Sequence, residues 1–278
     1  MLKARVITAI FLFAAFFSAL FFLPPFGWAI FATVVAVIAA WEWGALMGLG
    51  AKPRLVLGAG LLVVCAIVGL LEPAALGIGL DSSDAAWRLG RWFYLPAAAF
   101  WMLLVPLWMK QRWPLPKSAA GLAVGALLIL PTWLALIQLR QAGAMALLTV
   151  MAVVWLADIA AYFSGRAFGK HKLAPSISPG KTWEGAIGAG IAVLIYGFSL
   201  SASLPAVLSS NSGLLFIVLV LLTAISIIGD LFESLLKRQA GLKDSSSILP
   251  GHGGVLDRID SLTSTLPLVA LVWLSLLR

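Results

Sequence analysis

The chain is expected to be an all-α, polytopic integral membrane protein with about nine transmembrane helices and a cytoplasmic N-terminus. Three observations predict this. Hydrophobic residues make up 62% of the 278 residues and charged ones 11%, where a soluble domain carries about 25% charged residues. So few polar side chains cannot cover a water-facing surface. The apolar residues fall in runs of about 20, the length a helix needs to cross roughly 30 Å of hydrocarbon. Lysine and arginine, finally, sort to one side of those runs.

The runs are about Val6–Leu23, Phe26–Met47, Leu55–Leu71, Trp92–Met109, Gly121–Leu139, Ala144–Phe163, Trp183–Leu200, Leu214–Leu236 and Ile259–Leu277. Lys3 and Arg5 precede the first, as in a signal peptide. Its 18-residue apolar run is longer than the usual 7–15 residues and no small-x-small cleavage site follows, so an uncleaved helix is expected. Pro24–Pro25 marks a tight turn at a helix boundary. Glu72–Arg91, with Asp81 and Asp84, reads as an exposed loop, as does the Ser-rich Ser201–Ser212. Gly185, Gly188 and Gly190 in the seventh run permit close helix packing. Trp41, Trp43, Trp108, Trp113 and Trp183 fit interfacial anchoring. Cys65 is the only cysteine, which excludes an intrachain disulfide.

With the N-terminus inside, the inner segments hold Lys3, Arg5, Lys52, Arg54, Lys110, Arg112, Lys117, Arg166, Lys170, Lys172, Lys181, Lys237, Arg238, Lys243 and Arg258, fifteen of the 19 lysines and arginines. The outer side keeps Arg88, Arg91, Arg140 and Arg278. Positive residues are retained in the cytoplasm, so the net charge of +8 is a topology signal rather than a sign of nucleic-acid binding. Residues 1–140 read as about five N-terminal spans. Residues 141–278 read as a catalytic region of about four spans, with two polar cytoplasmic loops.

Those loops, Ser164–Thr182 and Lys237–Arg258, are entered by helices that carry carboxylates within apolar sequence: Asp158 in one, Asp230 and Glu233 in the other. Ionisable groups at such depth are expensive and mark sites. Asp230, Glu233, Ser234 and Lys237 share one helical face, and Asp158, Tyr162 and Gly165 share another. Facing carboxylates suit Mg²⁺, which binds through one or two of them plus substrate phosphates. The spacing alone leaves a metal site and a structural ion pair equally open. In SISPGKTWEG, Ser178 can cap a helix with Pro179 at its first position. Lys181 and Thr182 would then lie where a helix start favours an anion. Gly180-Lys181-Thr182 resembles the end of a P-loop, but Pro175 stands where that motif needs glycine. In the second loop, Gly253 and Gly254 allow close backbone approach to a bulky anion. Arg258 can grip phosphate, Asp257 or Asp260 can hold a metal, and His252 stands among them. His171 reads as a surface residue, and Glu42, flanked by Trp41 and Trp43, either belongs to the site or reaches the membrane interface, the second being slightly favoured.

The order S-x-x-K-R-x4-K-D-x6-G-H-G-G-x-x-D-R-x-D, from Ser234 to Asp260, resembles the signature of the phosphatidate cytidylyltransferases, or CDP-diacylglycerol synthases. D-x-x-A-Y-x-x-G from Asp158 and S-P-x-K-T-x-E-G from Ser178 are similar to that family too. The resemblance implies transfer of a cytidylyl group from CTP to phosphatidic acid, with a paired Mg²⁺ site, in a bacterial-type inner membrane with the site facing the cytoplasm. Some members are dimeric, so a homodimer is an expectation; membrane lipid is the other expected partner, and nucleic acid is not. By position, the resemblance makes Asp230 and Asp257 the leading metal ligands, assisted by Asp260, Glu233 and Asp158. Lys181, Lys237, Arg238, Lys243 and Arg258 would hold phosphates, with Ser178, Thr182, Gly253 and Gly254 around the nucleotide and His252 in the catalytic set. A CTP-using polyprenol or phytol kinase and an ion transporter are the rival readings. The first would need a base for a hydroxyl, and the second would show paired halves with interrupted helices.

Overall fold

The computed structural model describes residues 2–79 and 84–276, with side chains for 6–79 and 87–275. Lys3, Arg5, Asp81, Asp84 and Arg278 from the charge and loop arguments, and the last two residues of the ninth run, lie outside the described side chains. Each of the nine apolar runs is helical: α1 (Leu2–Phe22), α2 (Pro25–Leu46), α3 (Ala51–Leu71), a fourth segment from Asp84 to Gln111, α6 (Ala119–Gln141), α7 (Ala144–Phe168), α8 (Trp183–Ser199), α10 (Ser212–Gln239) and α11 (Leu256–Leu276). Among the described residues, six helices are long and apolar enough to cross a membrane by length and composition. A four-residue helix, α9 (Ala206–Ser209), lies in the connection before α10.

The fourth segment starts earlier than its apolar run. Helix α4 (Asp84–Ala99) takes in residues expected in the loop, and Trp87 and Tyr94 on it are buried. Pro96 has no N–H to give to the turn before it, and four residues later the helix widens into a π segment (Phe100–Leu104) before resuming as α5 (Val105–Gln111). The π turn aims Phe100 and Trp101 at Phe232 of α10, with ring centroids 6.0 and 5.6 Å apart, and Trp108 joins them at 5.6 Å. Such edge-on aromatic pairs add to simple burial.

The main core draws on α2, α4, α6, α7, α10 and α11, with Trp28, Trp101, Trp133 and Leu266 fully enclosed. The last helix packs on α4, α6 and α2, so the N-terminal spans form a wall for the C-terminal ones. A smaller cluster (Val153, Ala157, Ala189, Val193, Leu215, Leu219) joins α7, α8 and α10. The close α7–α8 contact uses two of the three glycines anticipated there. A side chain begun at Gly185 would meet the Ala161 carbonyl at 2.8 Å and one at Gly188 would strike Ser164, while Gly190 has open space around it. Exposed stripes such as Ile187, Ile191 and Ile195 on α8 and Ile159 and Phe163 on α7 present apolar surface outward. That suits lipid rather than water.

The ends of the helices gather in two sets, as an alternating arrangement requires. At one end, Arg112 donates to the Ser176 hydroxyl (2.8 Å), Gln239 Nε2 to the Trp113 carbonyl (2.9 Å), and Ser246 Oγ to Glu42 (2.6 Å). At the other end, Arg140 donates to the carbonyls of Leu20 (2.9 Å) and Leu23 (2.5 Å), and Gln141 to that of Ala75 (2.9 Å). The loops assigned inward by charge therefore share one face. Not every tryptophan is an interfacial anchor. Trp43 and Trp108 are buried, with their indoles donating to the Gly121 and Trp113 carbonyls at 2.9 and 2.7 Å.

The all-α expectation has one small exception. Residues Lys172–Ala174 (β1) and Ser178–Thr182 (β2) form an antiparallel hairpin, with Lys172 opposite Thr182 and Ala174 opposite Ser178. Ser178 therefore caps no helix and Pro179 opens none. The cap is Thr182, whose hydroxyl accepts from the Gly185 N–H at 3.1 Å. Cross-strand pairing satisfies this backbone before a helix can start, and in so small a sheet proline's missing N–H is tolerated.

Candidate active site

Three helices and the hairpin bring charged groups to one end of the C-terminal bundle. α10 supplies Asp230, Glu233 and Lys237; α7 supplies Asp158; the start of α11 supplies Asp257, Arg258 and Asp260; β2 supplies Lys181. The ammonium of Lys181 is ion-paired with Asp230 Oδ2, and Asp230 Oδ1 accepts from Ser234 at 3.3 Å. Asp158 is within electrostatic reach of Asp230, Lys181 and Arg258, and Asp260 of Asp230, Asp158 and Lys237. Three carboxylates from three helices thus repel one another across a space edged by cations. Gly229 makes that approach possible. A side chain begun there would meet the Asp260 carbonyl at 3.2 Å and Ser264 closer still, so α10 and α11 touch one residue before Asp230.

A second, deeper layer fixes the first. Lys237 bridges Asp257 Oδ1 (2.6 Å) and Glu233 Oε1 (3.3 Å). Glu233 is buried, and neither of its oxygens has a hydrogen-bond donor among the described residues. Asp257 Oδ2 accepts three further bonds, from the Ser245 N–H (2.9 Å), the Ser245 hydroxyl (3.0 Å) and the Gly254 N–H (2.7 Å). Asp257 precedes the apolar part of α11. Burial alone would raise its carboxyl, but the bonds from Lys237, Gly254 and Ser245 outweigh it and hold the group below its ordinary value. With both oxygens engaged, Asp257 organises the loop and orients Lys237.

Glu42 completes this layer. From α2, fully buried, it accepts from Ser246 Oγ (2.6 Å), the Val255 N–H (3.0 Å) and the Leu256 N–H (2.6 Å), so it caps α11 and ties down the 245–256 loop. Of the two alternatives for Glu42, the structure therefore favours a place beside the site over the membrane interface. Gly254 leaves the room it needs, since a side chain begun there would meet Glu42 Oε1 at 2.5 Å. Gly253 takes φ +80, a conformation suited to glycine. No local sequence signal could have found the partners of Glu42, because they lie more than 200 residues away.

Other candidates are placed differently. Thr182 is buried as the α8 cap, and the Trp183 N–H donates to the His171 carbonyl at 2.9 Å, so much of this helix start already has partners. Ser178 sits in the hairpin. Arg238 and Lys243 are exposed at the rim. His252 is half-buried, with its ring Nδ1 lacking a partner among the described residues. His171 is exposed as anticipated and meets Glu184 at 2.6 Å.

Among the described residues, no three of His, Cys, Asp and Glu converge closely enough to hold a metal unaided. The donor set still suits a hard cation that draws the rest of its shell from phosphate, because Asp230, Asp260 and Asp158 are carboxylates near enough to feel one another's charge.

Buried carboxylates and interleaved cations at one end of an apolar helical bundle define a polytopic membrane enzyme that handles phosphate. Comparison with known proteins specifies the family. A family model described as "Cytidylyltransferase family" matches residues 3–276, and the chain belongs to that family. The phosphatidate cytidylyltransferase of Pseudomonas aeruginosa is 40% identical over 280 residues, covering 98% of this chain and 97% of the relative. That of Haemophilus influenzae is 39% identical over 288 residues, covering 96% of each. That of Brucella suis is 39% identical over 274 residues, covering 97% and 92%.

Proposed function

We propose that this chain transfers the cytidylyl group of CTP to phosphatidic acid, giving CDP-diacylglycerol and pyrophosphate. The observation that carries the reading is the convergence of Asp158, Asp230 and Asp260 with Lys181, Lys237 and Arg258 at one end of the bundle. Near-full-length similarity to enzymes of that name supports it.

The chemistry asks little of a general base. An anionic oxygen of the lipid phosphate attacks the α-phosphorus of CTP, a new P–O bond forms, the bond to the β-phosphate bridge breaks, and pyrophosphate leaves. The barrier lies in bringing two anions together and in charge building on the leaving group. Lys181 and Arg258 stand where they can neutralise those phosphates, and cations positioned in advance stabilise charge as it develops. Lys181 would exchange Asp230 for phosphate as substrate enters. Lys237, held by Asp257 and Glu233, supplies a positive charge that cannot swing away. Asp230 and Asp260, with Asp158 beside them, would hold Mg²⁺. Bound there, it would supply Lewis-acid stabilisation of the attacking and leaving oxygens. The C-terminal region (141–278) carries these groups, and the N-terminal spans (1–140) brace them through Glu42. The inner membrane, a site open to the cytoplasm and a homodimer are the setting the resemblance supports.

The test incubates purified protein with Mg²⁺ and CTP labelled at the α-phosphate, with phosphatidate or a polyprenol as acceptor. Label in a chloroform-soluble product with phosphatidate, together with released pyrophosphate, is the expected result. Phosphorylated polyprenol from γ-labelled CTP, with no labelled phosphatidate product, would overturn it in favour of a kinase.

A further inference from the structure

A second feature lies apart from the charged cluster, among the N-terminal helices. α2 packs closely on both α3 and α6, but α3 and α6 leave a groove of about 880 Å³ between them. Its floor includes Trp43 and Met47, both buried; its walls include Leu57 and Gly60 of α3 and Leu122 and Ile129 of α6. Val56 and Leu122 on its edges are exposed, so the groove opens sideways into the surrounding apolar phase. At the end shared with the active-site loops stand Lys52, Lys117 and Ser118. Lys117 reaches across to the α2–α3 turn, its ammonium 3.4 Å from where a side chain at Gly48 would begin. None of the lining residues is acidic, and neither lysine has an ion-pair partner among the described residues.

We propose that this groove binds one anionic glycerophospholipid, its phosphate held by Lys52 and Lys117 and an acyl chain lying along Trp43, Gly60 and Ile129. The volume falls in the range of ligand sites, and the charge sits only at the headgroup end. Retention on the inner side accounts for the two lysines being basic but not for both standing at one end of this groove, where a neutral headgroup would not use them. The lipid lies against the face of α2 that carries Trp43 and Met47, outside the charged cluster. This inference does not depend on the reaction proposed above.

The experiment is native mass spectrometry of the full chain in detergent with phosphatidylglycerol or phosphatidylcholine of the same chains. Two variants complement each other. Lys52→Gln with Lys117→Gln removes the charge, and Gly60→Trp fills the groove, where a side chain begun at Gly60 has nothing within 4 Å. One retained phosphatidylglycerol on the unaltered chain is expected, with little phosphatidylcholine. Affinity should fall about thirtyfold in the lysine variant and binding should vanish in Gly60→Trp, while turnover of phosphatidate in excess detergent stays within about twofold. Equal retention of both lipids, or unchanged retention in the lysine variant, would overturn the proposal. So would loss of turnover in parallel with binding, which would make the groove the substrate's route. A lipid-free dimer that Gly60→Trp splits would also overturn it, since a second copy would then fill the groove.

Discussion

In the sequence Asp257 and Asp230 carry the same expectation, each a leading metal ligand, yet the structure gives them different surroundings. Asp257 accepts four hydrogen bonds, whereas Asp230 meets Lys181, which substrate would displace under the proposed function. The two should respond differently to substitution. Lys181→Ala should lower kcat/KM for CTP by about tenfold to a hundredfold, since one charge-assisted phosphate contact is lost; steady-state kinetics at varied CTP would show it, and unchanged values would remove Lys181 from the nucleotide site. Glu42→Ala strands the Val255 and Leu256 amides and the Ser246 hydroxyl. At about 1–3 kcal/mol for a buried unpaired group, thermal unfolding should fall by several degrees and turnover by at least tenfold. Glu42→Gln, which keeps an acceptor oxygen, should lie between. Equal activity of all three would mean the 245–256 loop is held by something else.

The elements matter through their points of closest approach. α10 and α11 touch at Gly229, and that contact sets the separation of Asp230 from Asp260. Gly229→Ala should push the helices apart by a few tenths of an ångström or more, and turnover should drop at least tenfold while the helical circular dichroism signal is kept, because small displacements of reacting groups are costly. Near-normal turnover would show that the pair tolerates the shift. The hairpin at 172–182 and the π turn after Pro96 were not legible in the sequence. A two-stranded ribbon of three and five residues leaves no period to detect, and a proline inside an apolar run does not say how the helix will absorb it.

Across the whole molecule, the apolar runs gave the long helices to within about five residues at their ends, apart from the early start of α4, because lipid forces each crossing segment to satisfy its own backbone. The clustering of basic loops at one end was equally readable from lysine and arginine placement. The charged cluster was readable as a set, through helical spacing and the motif from Ser234 to Asp260. Its division into carboxylates held by several hydrogen bonds and one paired with a single lysine was not, because that depends on partners such as Ser245, Gly254 and Ser246 that no local pattern ties together. Sidedness can be read directly. On a Cys65→Ser background, cysteine at Ser176 should react with a membrane-impermeant maleimide only in inside-out vesicles, and cysteine at Ser203 only in intact cells. The reverse pattern would invert the proposed orientation.

The central claim is that the Asp158–Asp230–Asp260 cluster is where the cytidylyl group changes hands. Its most direct test is the turnover of Asp230→Asn with CTP, phosphatidate and Mg²⁺, in protein whose thermal unfolding matches the unaltered chain. A loss of at least about a hundredfold is expected, since the substitution keeps the shape but removes the charge that a cation and Lys181 both need. Turnover within a few fold of the original would place the reaction elsewhere.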